Sequence, residues 1–230
     1  MASGRARGLA GPARRQHNKP MLITYIPANE YRRERWKNGL GWTREIHRGP
    51  GDAEAWDWRV SIAEVEKDGP FSSFEGVERE LVLLAGEGMR LHFENGELVD
   101  LAPPHGRVRF RGEAVVRAEL LSGPTQDFNL MWRRDRVNAT LLHRPLVGPM
   151  LFFAEADVRW AVHVLSGRAM FKDQAEKVLM ERGDTALIEP EGEGGNRVIL
   201  EGGGELLLAR IEAILTPAPP QVHYEAPEST

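Results

Sequence analysis

The residues best suited to chemistry in this chain cluster in a short stretch that begins at Asn38. Asn38 and Gly39 favour a tight turn, and Thr43, Arg44 and Glu45 follow it at the start of a predicted strand. Neighbouring strand residues point to opposite sides of a sheet, so Arg44 and Glu45 are expected on different faces. Amide, hydroxyl and charged groups at this spacing predict a site for a small polar ligand, while an ordinary hairpin is the alternative reading.

Two later segments alternate between large apolar and polar residues, as half-buried strands do. In Trp58–Ala63 and in Asp127–Arg134, one face is apolar and the other polar. The polar faces carry Arg59 and Ser61 in the first segment, and Asp127, Asn129 and Arg133 in the second. If these faces line the interior of a small barrel, an arginine offers a fork for a carboxylate and the asparagine suits an amide-like group. The alternative is that both faces are exposed to solvent.

The histidines show no metal-binding motif. The chain has no cysteine, and its seven histidines are His17, His47, His92, His105, His143, His163 and His223. None of them forms a His-x-His pair or a pair three to five residues apart, whereas a metal centre needs about three convergent ligands. We therefore expect no metal and no cofactor, and a site assembled from distant histidines is the alternative.

Composition excludes several classes of function. The formal net charge is −4, which makes nucleic acid a poor partner, and no apolar run reaches the roughly 18 residues of a membrane-spanning helix. Residues 1–20 are basic, without the apolar core of a secretory signal, and predict a disordered tail. Residues 217–230 predict a second flexible tail. We expect a cytoplasmic protein that binds neither nucleic acid nor membrane.

Short strands separated by turn residues predict an all-β fold, with one short helical segment expected at Asn29–Arg35. A strand ending at Gly86 has a counterpart ending at Gly167, and residues 120–131 resemble residues 199–210 at nearly the same offset. This repeat predicts two similar β units, residues 21–135 and 136–216.

Four ordered motifs resemble the HutD/Ves family: WKNGLGWTREI from Trp36, WDWRVSIAEV from Trp56, DGPFSSFEGVERELVLLAGEG from Asp68 and DFNLMWRR from Asp127. Leu40 departs from the small residue that is usual at its position. In the second half, residues 183–196 resemble the second cupin motif, with Gly195 in place of the metal-binding histidine. The resemblance implies a bacterial protein with a double cupin (RmlC-like bicupin) fold and a regulatory or protective association with histidine utilisation.

The resulting expectation is a non-catalytic cupin that binds a small carboxylate, such as urocanate or a formylated or formiminated glutamate. The expected ligand-binding residues are Asn38, Thr43, Arg44, Glu45, Arg59, Ser61, Asn129 and Arg133. The alternative is a metal-independent isomerase or hydrolase with Glu45 or Asp127 as general base. A weaker alternative is an interaction module with an exposed sheet edge, and the sequence allows a homodimer.

Overall fold

Alternating apolar and polar residues fold this chain into β-strands. The computed structural model describes residues 21–50, 55–172, 174–190 and 197–214, so both predicted tails and Gly195 lie outside the described residues. Within these ranges the only helical element is a 3-10 turn at Ala28–Glu30. The all-β prediction is confirmed. The helix expected at Asn29–Arg35 does not form, because Arg32–Arg35 pair as a strand with residues 42–45. No described helix is long and apolar enough to cross a membrane.

The first half of the chain forms two facing antiparallel sheets. The six-stranded sheet has the order β2 (Arg32–Arg35), β3 (Gly41–Gly49), β4 (Trp58–Val65), β11 (Thr125–Arg133), β6 (Val77–Ala85) and β9 (Arg107–Arg111). The four-stranded sheet has the order β5 (Gly69–Pro70), β10 (Val116–Leu120), β7 (Met89–Phe93) and β8 (Leu98–Leu101). Leu81, Leu83, Met89 and Leu91 belong to the apolar core of this unit.

The second half forms one curved seven-stranded sheet around its own core. Its main path is β1 (Leu22–Ile26), β16 (Thr185–Glu189), β14 (Val158–Phe171), β17 (Arg197–Ala213) and β12 (Val137–Leu146). The short strands β13 (Met150–Phe153) and β15 (Met180–Glu181) pair with β17 and β14. Strand β1 lies in the segment that the sequence assigned to the first unit, yet it pairs with β16 of the second.

A shared apolar core joins the two units. The outer face of the six-stranded sheet carries Trp58, Val60, Phe128 and Leu130, all at most 2% exposed. These side chains cluster with residues of the second unit such as Leu207. The six-stranded sheet is therefore buried on both faces, which explains why its strands carry bulky residues on one side and the candidate polar residues on the other.

The glycines that marked the sequence repeat have matching surroundings in the two halves. Gly86 has φ +86° and Gly167 has φ +78°, a region that glycine occupies without penalty. A Cβ on Gly86 would collide with the carbonyl of Pro124, and a Cβ on Gly167 with the carbonyl of Gly203. In both halves, then, the repeat glycine packs against the backbone of a later segment. Gly86 follows the end of β6 as predicted, but the strand end predicted at Gly167 is wrong, because β14 continues through Gly167 to Phe171 and pairs there with β17.

Candidate functional site

A cavity of about 540 Å³ opens at one end of the first unit, between the six-stranded sheet and the β5–β6 loop. This volume suits a small ligand. The polar and charged residues that line it are Arg32, Glu34, Arg35, Lys37, Asn38, Thr43, Glu45, Arg48, Ser72, Ser73, Arg79, Arg59, Asp127 and Asn129. Trp36, Phe71 and Phe74 add aromatic surface. Six of the lining residues are basic and three are acidic, so the cavity favours an anion.

Strand register arranges the floor of this cavity in rows. Glu45 of β3 lies opposite Ser61 of β4, which lies opposite Asn129 of β11. In the next row, Thr43 and Asp127 flank Ala63. Because residues two apart share a face, three antiparallel strands bring side chains more than 80 positions apart onto one polar surface.

Two arginines from different strands flank these rows. Arg59 and Arg79 both lie opposite Met131 of β11, one on each side. The guanidinium carbon of Arg59 lies 5.7 Å from the ring centre of Phe74, and that of Arg79 lies 5.6 Å from the same ring. Arg79 is only 6% exposed. Aromatic contacts of this kind hold a guanidinium in place while leaving its N–H groups available.

Asp127 is the most unusual acid of the site. It is 1% exposed, and neither carboxylate oxygen has a hydrogen-bond partner among the described residues. Burial raises the pKa of Asp127 to about 7, although the positive charge of Arg79 opposes the change. Burial also lowers the pKa of Arg79 to about 10, against the effect of Asp127. A group that is half ionised near neutrality can accept or donate a proton.

Polar atoms without partners converge on this floor. In the described part of the chain, the buried atoms without a hydrogen-bond partner include Arg59 Nε, Ser61 Oγ, Arg79 Nε, both Asp127 oxygens and Asn129 Oδ1. Buried polar groups in proteins are nearly always hydrogen-bonded, and each exception costs about 1–3 kcal/mol. Five of these six atoms belong to residues that line the cavity, and Ser61 lies between Glu45 and Asn129 in the same row, so unpaired donors and acceptors are concentrated at this floor.

The rim of the cavity is more fully paired. Trp36 Nε1 donates to Thr43 Oγ1 at 2.8 Å, and Asn38 Oδ1 accepts from the Leu40 amide at 3.0 Å. Arg48 Nε donates to Glu45 Oε1 at 2.7 Å. These bonds fix the entrance, so the unpaired groups lie deeper, on β4, β6 and β11.

Six of the eight predicted ligand-binding residues meet at this site: Asn38, Thr43, Glu45, Arg59 and Asn129 line the cavity, and Ser61 lies between Glu45 and Asn129 in the strand register. The other two lie elsewhere. Arg44 is on the opposite face of β3, where its Nε is 3.1 Å from Glu64 Oε1. Arg133 shares the face of Asn129, but it stands at the end of β11 and donates to the carbonyl of Trp56 at 3.2 Å.

Arg79 is a buried lining residue that is absent both from the predicted ligand-binding residues and from the alternative general bases. It belongs to one of the motifs quoted above, but it was not singled out. The available signal was its place in Val77–Ala85, where it shares a strand face with Leu81 and Leu83. A charged residue on an otherwise buried face is expected to have a special partner.

No described histidine lines the cavity, and of its three acids Glu45 is already bonded to Arg48. The donor set therefore suits an organic anion better than a metal ion. A second depression, of about 550 Å³, lies at the C-terminal end of β4. Its lining includes Arg33 and Glu64, which are paired with each other at 2.6 Å. Its charges are already satisfied.

Comparison with known proteins gives consistent matches. The family model HutD matches residues 28–208. A Ves protein of Escherichia fergusonii is 30% identical over 198 residues, covering 81% of this chain and 93% of that protein. An uncharacterised 21.2 kDa protein encoded in the hutC 3' region of Pseudomonas putida is 42% identical over 125 residues, which is 52% of this chain and 63% of that protein.

Solved structures show the same fold. HutD from Pseudomonas fluorescens SBW25 has a TM-score of 0.72 and 30% identity, covering 84% of this chain and all of that one. The Escherichia coli protein Ylba, at 12% identity, has a TM-score of 0.62 over 88% of this chain. Together with the architecture described above, these matches confirm the predicted cupin-like double unit.

Proposed function

This chain belongs to the HutD family, and we propose that it binds a small carboxylate in the cavity of the first unit without transforming it. The observation that carries this proposal is the set of buried, unpartnered polar atoms on β4, β6 and β11. The N–H groups of Arg59 and Arg79 suit a carboxylate, and the oxygens of Asp127 and Asn129 suit N–H donors. A ligand that carries a carboxylate at one end and N–H groups at the other matches both sets.

Intermediates of histidine breakdown have this pattern, and the family's association with that pathway supports them. Urocanate joins a carboxylate to an imidazole, and formiminoglutamate joins carboxylates to a formimino group. We propose that such a metabolite is held and sensed in the cytoplasm, in a regulatory or protective role.

A binding experiment tests this proposal. We expect urocanate, formylglutamate or formiminoglutamate at millimolar concentration to raise the melting temperature of the full chain. Arg59→Gln and Arg79→Gln should each weaken binding by about 10- to 150-fold, the value of a charge-assisted hydrogen bond of about 1.5–3 kcal/mol.

Arg44→Gln is the matched control, because Arg44 is an arginine of the same sheet on the face away from the cavity. Its affinity for the ligand should stay within about twofold of the unaltered chain. Absence of any thermal shift would count against the ligand class. An equal loss of ligand affinity in all three variants would show that the ligand does not bind in this cavity.

One observation favours a second function. Asp127, with a pKa raised to about 7, has the protonation behaviour of a general base and reaches the cavity floor. A metal-independent isomerase or hydrolase would use it to move a proton on a ligand held by the two arginines. Product formation from a bound metabolite, lost in Asp127→Asn with binding retained, would establish that function in place of simple binding.

A further inference from the structure

Three side chains that are far apart in sequence converge where the two units meet. His105 lies in the β8–β9 loop of the first unit, His143 on β12 and Glu205 on β17 of the second. The Nε2 atoms of both histidines lie 3.5 Å from the same oxygen, Glu205 Oε2. One ligand atom of each residue falls within 4.8 Å of the others. This group is separate from the ligand cavity, whose lining includes none of the three.

The backbone and a hydrogen bond hold His105 in this position. His105 has φ +51°, the only positive value among the described non-glycine residues, and such a conformation is uncommon outside glycine. Its Nδ1 lies 3.1 Å from the carbonyl oxygen of Leu83. A carbonyl can only accept, so Nδ1 carries the hydrogen and a neutral ring presents its Nε2 lone pair to Glu205. Metal-binding histidines are commonly oriented by this type of second hydrogen bond.

That geometry calls for a positive charge between the three residues. A lone pair on Nε2 and the lone pairs of a carboxylate oxygen repel each other at 3.5 Å unless a proton or a metal ion lies between them. In a tetrahedral site with metal–ligand distances of about 2.0–2.1 Å, two ligand atoms are roughly 3.3–3.5 Å apart. The two nitrogen–oxygen distances already have this value, and all three ligand atoms lie within 4.8 Å of one another.

We propose that His105, His143 and Glu205 bind a first-row divalent metal ion that links the two units. Two imidazole nitrogens and one carboxylate oxygen form a donor set that zinc, nickel, cobalt and copper accept. Three protein ligands leave a further coordination position open to solvent. The sequence indicates such a site only as the alternative of distant histidines, because it separates these residues by 38 and 62 positions, whereas metal motifs are recognised from short spacings.

Zinc titration of the full chain, without an affinity tag, tests the proposal. We expect one Zn²⁺ per chain to bind saturably and to raise the melting temperature, since metal binding to the folded chain stabilises it. His143→Ala and Glu205→Gln should each raise the zinc dissociation constant at least tenfold, and His105→Ala should do the same. The first two replace partly exposed side chains, so circular dichroism without metal should match that of the unaltered chain.

His92→Ala is the matched control, because His92 forms a surface pair with Glu119 at 2.7 Å but belongs to no group of three possible metal ligands among the described residues. Its zinc affinity should stay within about twofold of the unaltered chain. The proposal is overturned if no saturable binding occurs at about 100 µM Zn²⁺, where even a site of about 10 µM affinity is filled. It is equally overturned if His143→Ala and Glu205→Gln bind zinc as the unaltered chain does, or if His92→Ala loses as much affinity as they do.

Discussion

Burial of the Asp127 carboxylate lowers the stability of the folded chain when no ligand is bound. The carboxyl group has no hydrogen-bond partner among the described residues, and its pKa of about 7 lies well above its ordinary value of 3.8. A carboxyl group with a raised pKa binds a proton more tightly in the folded chain than in the unfolded chain. Its contribution to stability is therefore complete below about pH 4 and is lost as the pH rises towards 7. A ligand donor at this position would recover part of that loss.

Asp127→Asn should remove this penalty. At pH 8 we expect the variant to be more stable than the unaltered chain by up to about 4 kcal/mol, the value of a pKa change of about three units, and at pH 4 the difference should shrink towards zero. Urea denaturation at both pH values measures it. A stability difference that does not change with pH would show that the carboxyl group does not titrate in this range.

His163 should make the folded chain less stable as the pH falls, which is the opposite of the effect of Asp127. It is 2% exposed, its Nδ1 lies 2.9 Å from Thr185 Oγ1, and burial lowers its pKa to about 4. The folded chain keeps this ring neutral, so its contribution to stability is present above about pH 6.5 and is lost as the pH falls towards 4. As the pH falls from 7 to 4, the free energy of unfolding of the unaltered chain should therefore decrease by up to about 3 kcal/mol more than that of His163→Gln. The surface substitution His92→Gln, in the same urea series, is the control for replacing a histidine that is not buried.

At the residue scale, most of the cavity's polar residues are predictable from the sequence, but Arg79 is not. Arg59, Ser61 and Asn129 were identified because alternation assigns them to one strand face. Arg44 was included because it is adjacent to Glu45 in sequence, and the sheet separates the two onto opposite faces. Arg79 and the His105 cluster depend on which strands become neighbours, and this pairing is not determined by the spacing within any one segment.

At the element scale, the two faces of the sheet that forms the cavity floor lie in different environments. The outer face of β4 and β11 packs Trp58, Val60 and Leu130 against the second unit. The inner face of β4 changes along the strand from polar to apolar, as Arg59 and Ser61 give way to Val65. Alternation made these strands predictable, but the pairing of β1 with β16 was not, because a short apolar strand fits the edge of either unit.

The repeated glycine contact provides a test at this scale. Gly167→Ala should destabilise the chain by about 3 kcal/mol or more, because the left-handed conformation costs roughly 1–2 kcal/mol and the new methyl group would overlap the Gly203 carbonyl. Gly123→Ala is the control: its φ is +70°, but nothing lies within 4 Å of the added atom, so only the conformational cost of about 1 kcal/mol applies. Equal losses in guanidinium denaturation would show that the close approach of Gly167 to the Gly203 carbonyl is unimportant.

At the scale of the whole molecule, the shared core makes the two units interdependent. Separating them would expose the outer face of the six-stranded sheet, including Trp58, Phe128 and Leu130, each at most 2% exposed. It would also break the pairing of β1 with β16, because β1 precedes the first unit in sequence but belongs to the sheet of the second. A buried side chain of this size contributes about 1.5–3 kcal/mol, so neither unit is expected to keep its structure alone.

The chain should therefore unfold in one cooperative step. Five of its six tryptophans lie in the first unit and only Trp160 lies in the second, so tryptophan fluorescence reports mainly on the first unit, whereas far-ultraviolet circular dichroism reports on both. We expect the two signals to give the same denaturation midpoint.

Leu130→Ala, in the shared core, should lower the unfolding free energy by about 2–5 kcal/mol and move both midpoints together. Leu98→Ala, at a residue that is 58% exposed, should leave both midpoints in place. Separate midpoints for the two signals, or a shift in fluorescence alone after Leu130→Ala, would mean that the two units unfold independently.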